Sequence, residues 1–152
     1  MKIILEKEKE SRGWRYRQLK IDLGDEQMKE IKHCLVCGTS YGVEKHHMVF
    51  KSECKPLEHC KYNYAYLCGE HHRGDYGPHG KHGKKLNRQL KLGFQNWLEE
   101  TFYQDRYTLE DIQKKLDISI NATRSLSKLM KIEKGMFSRE EIIRACMGGK
   151  IY

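Results

Sequence analysis

Apolar residues recur with a helical period in the middle of the chain, after residue 85. Within the segment LNRQLKLGFQNWLEETFYQ, one stripe contains Leu86, Leu90, Phe94, Trp97 and Leu98. Spacings of three and four residues place these side chains on one face of a helix, and we expect that face to pack on the preceding part of the chain. Gly93 lies within the stripe and lowers the helix propensity at that point.

A second set of helical spacings follows residue 106. Thr108 is a favourable N-cap for the segment LEDIQKKL, and Asp111 stands at the third helical position, where an acid suits the helix dipole. A further helix is expected after the tripeptide DIS. The two helices share one apolar side, which contains Leu109, Ile112, Leu116, Ile118, Ala122, Leu126 and Leu129. The join near 103–108 is the predicted domain boundary.

Shorter alternating patterns precede the helices. Residues 1–33 alternate charged and apolar side chains around a turn signal, Ser11-Arg12-Gly13, and predict a polar hairpin or edge strands. The segment GVEKHHMVF has an apolar, β-prone run after its two histidines, and YNYAYL predicts a second strand. A helix starting at His72 would lie against both strands. The patterns predict an α+β fold with an arm (1–33), a central domain (34–105) and a helical module (106–152).

Composition limits the size of the core. The chain has 152 residues, of which 38% are hydrophobic and 33% are charged. This length suits one compact domain or two very small ones, and a thin core often needs an additional crosslink. No apolar run approaches the roughly 18 residues of a membrane span, and the N-terminal segment MKIILEKEKE has too short an apolar stretch for a secretory signal. We expect a cytoplasmic protein with no membrane partner.

Charge favours a polyanionic partner, because the formal net charge is +8. Between residues 73 and 91 a single acid, Asp75, accompanies six basic residues: Arg73, Lys81, Lys84, Lys85, Arg88 and Lys91. A solvated helix face is one explanation of such a run, and phosphate contact is the other. The position of the run, directly after a histidine-rich stretch, favours phosphate contact.

Two pairs of metal-binding residues lie about thirty residues apart. Cys34 and Cys37 form one C-x-x-C pair, and Cys68 and His71 form a C-x-x-H pair. These are the number and types of ligands that tetrahedral zinc takes, and binding would join two distant loops. The alternative is a set of unrelated thiols with a surface histidine. Three further cysteines fit no such spacing and are interpreted as thiols or small apolar residues: Cys54, Cys60 and Cys146.

A second set of candidate site residues lies between the two zinc pairs and directly after the second pair. His46 and His47 are neighbours on a predicted strand, so their side chains point to opposite faces unless they lie at its end. A hairpin and a following helix would bring both close to Asn63 and His72. Such residues suit phosphodiester hydrolysis: a divalent metal on His46 and His72 would stabilise charge on the phosphate and the leaving oxygen, and neutral His47 would deprotonate the attacking water. Asn63 would either orient His47 or complete the metal shell.

The order of these residues resembles the HNH endonuclease family. The segment LCGEHHRGDYGPHG, with the lysine-rich stretch and LKLGFQNWLEETF after it, is similar to small HNH proteins of bacteriophages and prophages. The resemblance covers about residues 34–105 and implies a ββα-metal core. It implies that His46 is a metal ligand, that His47 is the general base, and that His79 is a third ligand or a phosphate contact. In the family the second knuckle usually ends in cysteine, where this chain has His71.

The C-terminal segment has the spacing of a helix-turn-helix, with residues 120–131 as recognition helix, although Asp117 replaces the usual glycine of the turn. The following residues would form a wing-like hairpin and a closing helix that is capped by Ser138 and ends at Gly148 and Gly149. This arrangement resembles excisionase or MerR-like DNA-binding modules; a plain helical bundle is the alternative. Four side chains would face a DNA groove: Asn121, Arg124, Ser125 and Lys128.

The predicted function is therefore a metal-dependent DNA endonuclease or nickase, with structural zinc and a catalytic Mg²⁺ or other divalent metal, in a bacterial or phage-infected host cell. The alternative is a non-catalytic, zinc-stapled DNA-binding protein, such as a phage regulator or recombination accessory. A purely structural role needs only one Cys/His set. It leaves His46, His47, Asn63 and His72 unexplained, and this surplus favours the enzyme.

Overall fold

The computed structural model describes residues 8–10, 13–15 and 31–152. Strands β1 (Glu8–Glu10) and β2 (Gly13–Arg15) pair antiparallel, with Glu10 opposite Gly13. This is the hairpin expected within residues 1–33; the rest of that arm lies outside the described residues. The described parts contain three small antiparallel sheets and five α-helices, so the predicted α+β class is confirmed.

The first half of the described chain is a hairpin followed by a short helix. Strands β3 (Val43–His47) and β4 (Tyr64–Cys68) pair antiparallel, and helix α1 (Gly69–Arg73) follows directly. Two short 3-10 helices, Lys55–Leu57 and Lys61–Asn63, connect the strands. The β4 side chains alternate between buried Ala65 and Leu67 and half-buried tyrosines, so one face of the hairpin packs inward.

Two details of this half differ from the sequence prediction. The apolar run after the histidines is not a strand, because β3 ends at His47 and the chain turns where Asn63 binds both backbone groups of Val49. Helix α1 starts at Gly69 rather than at His72, since extended Cys68 already occupies the N-cap position.

Helix α2 (Lys84–Thr101) carries the predicted apolar stripe. Phe94 and Leu98 are buried in one core, against which Trp97 packs, while Leu90 is buried in a second, smaller cluster, against which Leu86 packs. The helix continues through Gly93, which is exposed and has open space around it.

The second half alternates short strands and helices. It consists of β5 (Arg106–Tyr107), α3 (Leu109–Leu116), α4 (Ile120–Ser127), β6 (Ile132–Glu133), β7 (Met136–Ser138) and α5 (Arg139–Cys146). The strands form one antiparallel sheet in the order β5-β7-β6. Thr108 and Asp111 form a reciprocal capping box on α3, and Ser138 caps α5 through the N–H of Glu141. Both predicted caps are present.

The predicted second helix is too long by four residues. Helix α4 ends at Ser127, and the backbone turns there through bonds from Leu129 to Leu126 and from Met130 to Ser127. This turn places Met130 in the core and leaves Leu129 57% exposed, so the prediction that Leu129 is buried is wrong. Asp117 has a φ of 51°, the left-handed conformation for which a turn glycine is usually needed.

One hydrophobic core extends across the predicted boundary at 103–108. It joins Val49 and Leu57 of the first half to Phe94 of α2 and to Ile112 and Leu126 of the second half. The boundary therefore does not separate two cores. Cys54, Cys60 and Cys146 are free, buried thiols of this core, and burial raises the pKa of Cys54 to about 11.

Helices long and apolar enough to cross a membrane do not occur among the described residues.

Candidate metal centres

Three cysteines and one histidine from the two predicted pairs form one group. The ligand atoms of Cys34, Cys37, Cys68 and His71 all lie within 4.8 Å of one another. The Sγ atoms of Cys37 and Cys68 are 3.8 Å apart, and Nδ1 of His71 is 3.2 Å from Sγ of Cys68. Ligands at zinc distances of about 2.0–2.3 Å in a tetrahedron lie about 3.3–3.8 Å from one another. The group, which we call the knuckle, is compatible with a metal such as zinc.

The loop that carries the first two cysteines suits thiolate ligands. Gly38 adopts a φ of 73°, and its N–H donates to the carbonyl oxygen of Cys34 over 2.8 Å. Burial alone would raise the pKa of the Cys34 thiol, but the N–H groups of Cys68, Cys37 and Val36 outweigh it and lower that pKa from 9.0 to about 6. The N–H of Thr39 would lower the pKa of Cys37, but burial and the neighbouring Cys34 and Cys68 outweigh it and raise that pKa. Because the thiolate is the form that binds metal, the loop favours a cation at Cys34.

A second group contains His46, His72 and His79, and we call it the histidine triad. Its ligand atoms lie within 4.8 Å of one another, and its ring centroids are 4.9 to 5.1 Å apart. His46 is only 2% exposed, and its Nε2 has no hydrogen-bond partner in the described part of the chain. An orphaned buried nitrogen needs an explanation, and a cation among the three rings would supply a partner.

The protonation state of the triad also fits a metal. Burial, together with the neighbouring His72 and His79, lowers the pKa of His46 from 6.5 to about 4. Burial also lowers the pKa of His79. Neutral imidazole is the form that coordinates metals, so both rings are ready to bind one near neutral pH.

Glu44 orients His72 within the triad. The Nδ1 of His72 lies 2.6 Å from Oε2 of Glu44, which leaves Nε2 of His72 for a metal. Arg73 contacts the same carboxylate oxygen at 2.9 Å. The hydrogen bond from His72 and the charge of Arg73 hold the pKa of Glu44 below its usual value. Glu44 was not among the predicted site residues, although its place two residues before His46 puts both on one strand face.

The hairpin and α1 separate the two groups. Val43 pairs with Cys68 at one end of the hairpin, and His47 pairs with Tyr64 at the other end. Neighbouring residues of an α-helix point about 100° apart. His71 therefore reaches the knuckle while His72 reaches the triad, as the spacing of the motifs predicted.

His47 lies beside the triad at the end of β3 and is held by a carbonyl group. Its Nε2 lies 2.9 Å from the carbonyl oxygen of Glu58. A carbonyl oxygen only accepts, so Nε2 carries the proton and Nδ1 of the neutral ring keeps its lone pair. The hydroxyl of Tyr64 donates to the same carbonyl over 2.8 Å. The ring of His47 is thus fixed in a form that can accept a proton.

Asn63 acts on the backbone rather than on His47 or the triad. Its Oδ1 accepts from the N–H of Val49 over 2.8 Å, and its Nδ2 donates to the carbonyl oxygen of Val49 over 2.9 Å. Asn63 is fully buried, and these bonds occupy its amide. Asn63 therefore fixes the turn that follows His47. This role differs from both predicted roles, which were to orient His47 or to complete the metal shell.

A coil of glycines places His79 against the other two histidines. Gly74, Gly77, Gly80 and Gly83 stand at every third position, and each N–H after the first donates to the carbonyl oxygen of the preceding glycine. The N–H of His79 also reaches the carbonyl oxygen of His72 at 3.4 Å. The spacing of three was visible in the sequence, but a coil that closes this tightly could not be deduced from it.

Phe50 forms a wall of the triad and is held from behind by a buried ion pair. Its ring stacks on His79 with centroids 5.6 Å apart, and its N–H donates to Glu53 over 2.9 Å. The other oxygen of Glu53 lies 2.5 Å from Nζ of Lys91, which also bonds to the hydroxyl of Tyr152. Lys91 is 4% exposed, so it does not belong to the exposed basic run in which the sequence analysis included it.

The other basic residues of that run lie at the surface. Arg73, Lys81, Lys84, Lys85 and Arg88 are all exposed. Apart from Arg73, they have no carboxylate partner among residues 31–152. Lys84 and Lys85 occupy the first turn of α2, which has no acid. Cations are unfavourable at the positive end of a helix, so the pattern indicates a role other than helix stability.

The predicted face of α4 is also exposed. It carries Asn121, Arg124 and Ser125 on the helix and Lys128 at its C-cap. Among the described residues Arg124 and Lys128 pair with no acid. The adjoining β6–β7 hairpin turns at Lys134 and Gly135, which both have positive φ values, as a tight two-residue hairpin turn requires.

Comparisons of the chain with protein-family models, with curated proteins and with solved structures find no match.

Proposed function

We propose that the chain is a metal-dependent endonuclease or nickase of the HNH type that hydrolyses phosphodiester bonds in DNA. The observation that carries the proposal is the histidine triad with the orphaned Nε2 of buried His46, beside a ring of His47 whose Nδ1 can accept a proton. A structural metal in the knuckle would not need either feature. The knuckle is proposed to hold zinc, and the triad to hold Mg²⁺ or another divalent metal.

Each residue of the proposed site has a separate role in the reaction. A divalent metal in the triad would supply Lewis-acid stabilisation of the charge on the phosphate and the leaving oxygen. His47 takes the proton of the attacking water at Nδ1, while the carbonyl of Glu58 keeps its ring in place. Glu44 fixes the tautomer of His72, and Asn63 fixes the turn after His47. His46, His72 and His79 are thus proposed ligands, and Asn63 is a positioning residue.

The exposed basic residues support DNA as the substrate. Lys81 lies between His79 and α2, and Lys84, Lys85 and Arg88 lie on the first two turns of α2, close in sequence to the proposed centre. The face of α4 and the β6–β7 hairpin suit a winged helix-turn-helix that adds affinity or site preference. The net charge of +8 agrees with a polyanionic partner.

The test is relaxation of supercoiled plasmid by the zinc-loaded protein in Mg²⁺, Mn²⁺ or Ni²⁺. We expect the wild type to nick or linearise the plasmid in at least one metal. The His47→Ala variant should lose about 100-fold or more of the rate, because it lacks the proton acceptor. His59→Ala, a change of an exposed histidine outside the site, is the matched control and should cut like the wild type.

If wild type and His47→Ala both leave the plasmid intact in every metal yet still shift it on a gel, the nuclease proposal fails. The non-catalytic, zinc-stapled DNA-binding protein then takes its place.

A further inference from the structure

We infer that the outer face of the β3–β4 hairpin binds the DNA strand that leads to His47, and that Lys45 contacts a backbone phosphate of that strand. The inference rests on the proposed function and deepens it. This hairpin face consists of Lys45 and His47 on β3 and of Tyr66 and Tyr64 on β4, which pair in that order across the hairpin. None of the residues predicted to bind DNA belongs to it.

The hairpin face is at the surface because the strand period puts its residues opposite the core side. Ala65 and Leu67 alternate with the two tyrosines and are 1% and 0% exposed. His46 and Glu44 share the inner side with them and meet His72 there. Lys45 is exposed, while Tyr64, Tyr66 and His47 are half-buried. A ligand can therefore reach Lys45 and the edge of His47 without any movement of the core.

One aromatic ring holds the ammonium group and the imidazole side by side. The Nζ of Lys45 lies 4.3 Å from the centroid of Tyr64, and the ring of His47 meets Tyr64 edge-on at 5.1 Å. Tyr66 is the next residue of β4 on the same face, and the Nζ of Lys32 lies 4.8 Å from the centroid of its ring. A cation–π contact restricts the lysine side chain but leaves its full positive charge, which suits a phosphate-binding group.

Three other lysines of the segment between β3 and β4 have carboxylate partners. Lys51 and Lys55 both pair with Glu58, at 2.8 Å and 2.6 Å, and their hydrogen bonds lower the pKa of that carboxyl to about 2. Lys61 pairs with Asp117. Within residues 31–152, Lys45 has no carboxylate partner. An anion that approaches His47 along the hairpin face therefore meets a positive charge at Lys45 with which no carboxylate of residues 31–152 is paired.

The geometry of the strand end places this charge on the path of the substrate. His46 and His47 point to opposite sides at the end of β3, so a phosphate within reach of both the triad and His47 lies at that end. The DNA strand on the His47 side of that phosphate then passes over the hairpin face. Lys45 lies two residues back, about 7 Å along β3, a distance that about two nucleotides cover at a rise of about 3.4 Å each.

The test measures how the affinity for a fluorescent 20-base-pair duplex depends on salt, without added divalent metal. For Lys45→Gln, the slope of log K against log salt should become shallower by about 0.9, the value for one lost phosphate contact. Lys45→Arg should restore most of the slope. The matched control is Lys114→Gln, which removes the same charge from a lysine already paired with Glu110 and should keep the wild-type slope.

An equal slope in Lys45→Gln and wild type overturns the inference, and so does an equal reduction in Lys45→Gln and Lys114→Gln. Zinc content and the circular dichroism spectrum show that the variants are folded. Plasmid cleavage separates the two proposals. If the wild type cuts DNA but Lys45→Gln has the wild-type salt slope, only the proposal for the hairpin face fails. If the salt slope depends on Lys45 but the protein cuts no DNA, only the proposed nuclease function fails.

Discussion

Gly80 has no room for a side chain, because the coil that places His79 next to the other two histidines is tightly closed at this position. A Cβ atom at Gly80 would lie 2.0 Å from the carbonyl oxygen of Gly74, and one at Gly83 would lie 1.7 Å from that of Gly77. Both contacts are with backbone, which cannot rotate away. The coil of residues 74–83 therefore depends on the absence of side chains at these glycines, independently of their backbone conformation.

Gly80→Ala should consequently loosen the coil. We expect a loss of about 1–3 kcal/mol in the free energy of unfolding, as for other overpacked sites, measured by urea denaturation. Gly93→Ala is the matched control, because Gly93 is helical with nothing within 4 Å of its Cβ position. It should stabilise the protein by about 0.5–1 kcal/mol. Equal stability of Gly80→Ala and wild type would contradict this account of the coil.

At the scale of single residues, the sequence predicts ligands better than supporting contacts. The C-x-x-C and C-x-x-H spacings were enough to group the four residues of the knuckle, because local turns are encoded over a few residues. His46 and His72 were paired through the predicted hairpin and helix, and His79 was added only by the family resemblance. The role of Asn63 was not accessible in this way. Its partner, Val49, is fourteen residues away and comes close only after the chain between β3 and β4 has turned.

At the scale of elements, one strand and one helix each direct two neighbouring histidines to different sides. Strand β3 turns Glu44 and His46 toward His72 and turns Lys45 and His47 to the opposite side. Helix α1 distributes its two histidines in the same way. This division follows from the periods of strand and helix, which is why the sequence could predict it.

The ends of elements were less predictable. Helix α4 stops at Ser127 because the core takes Met130 rather than Leu129, a choice that the apolar spacing alone did not distinguish. The connection between β3 and β4 shows a related limit. Glu53 and Phe50 carried no motif, yet with Lys91 of α2 they form the wall behind His79.

The ion pair of that wall gives a prediction about pH. Burial would raise the pKa of Glu53, but its hydrogen bonds with Lys91 and with the N–H of Phe50 outweigh it and lower the pKa below 4.5. A carboxyl whose pKa is lower in the folded state stabilises the protein above its unfolded pKa and loses that contribution as the pH falls through the folded value.

Glu53→Gln should therefore be less stable than wild type by about 2 kcal/mol near pH 7, since it leaves the buried Lys91 without its charge partner. The difference should shrink as the pH falls from about 5 to 3. Denaturant titrations at several pH values measure it. Glu110→Gln, which breaks an exposed pair, should change stability by no more than about 0.5 kcal/mol at neutral pH. A difference that stays constant down to pH 3 would count against the ion pair.

At the scale of the whole molecule, the two predicted modules share their packing. Cys60 in the first half donates its thiol hydrogen to the carbonyl oxygen of Leu116 in α3, and Lys61 pairs with Asp117 at the turn between α3 and α4. Sequence patterns predicted most of the strands and helices after residue 42 but not this shared core. Contacts between residues that are 56 positions apart depend on packing that no local pattern encodes.

The shared core also bears on the proposed function. The inner face of the β3–β4 hairpin belongs to a second cluster with Ala65 and Leu67, and Met48 packs against both clusters. If α4 and the β6–β7 hairpin bind DNA, Met48 therefore links the core beneath them to the end of β3, next to His46 and His47.

Two neighbouring histidines, His71 and His72, are proposed to serve two different metal centres. Native mass spectrometry of zinc-loaded protein, titrated with Mn²⁺, tests this proposal directly. Wild type and His82→Ala, a change at an exposed histidine outside both groups, should each retain one tightly held zinc and bind one exchangeable Mn²⁺. His72→Ala should keep the zinc and bind Mn²⁺ at least about tenfold more weakly. If His72→Ala loses the zinc, or binds Mn²⁺ as tightly as wild type, the two centres are not divided between His71 and His72.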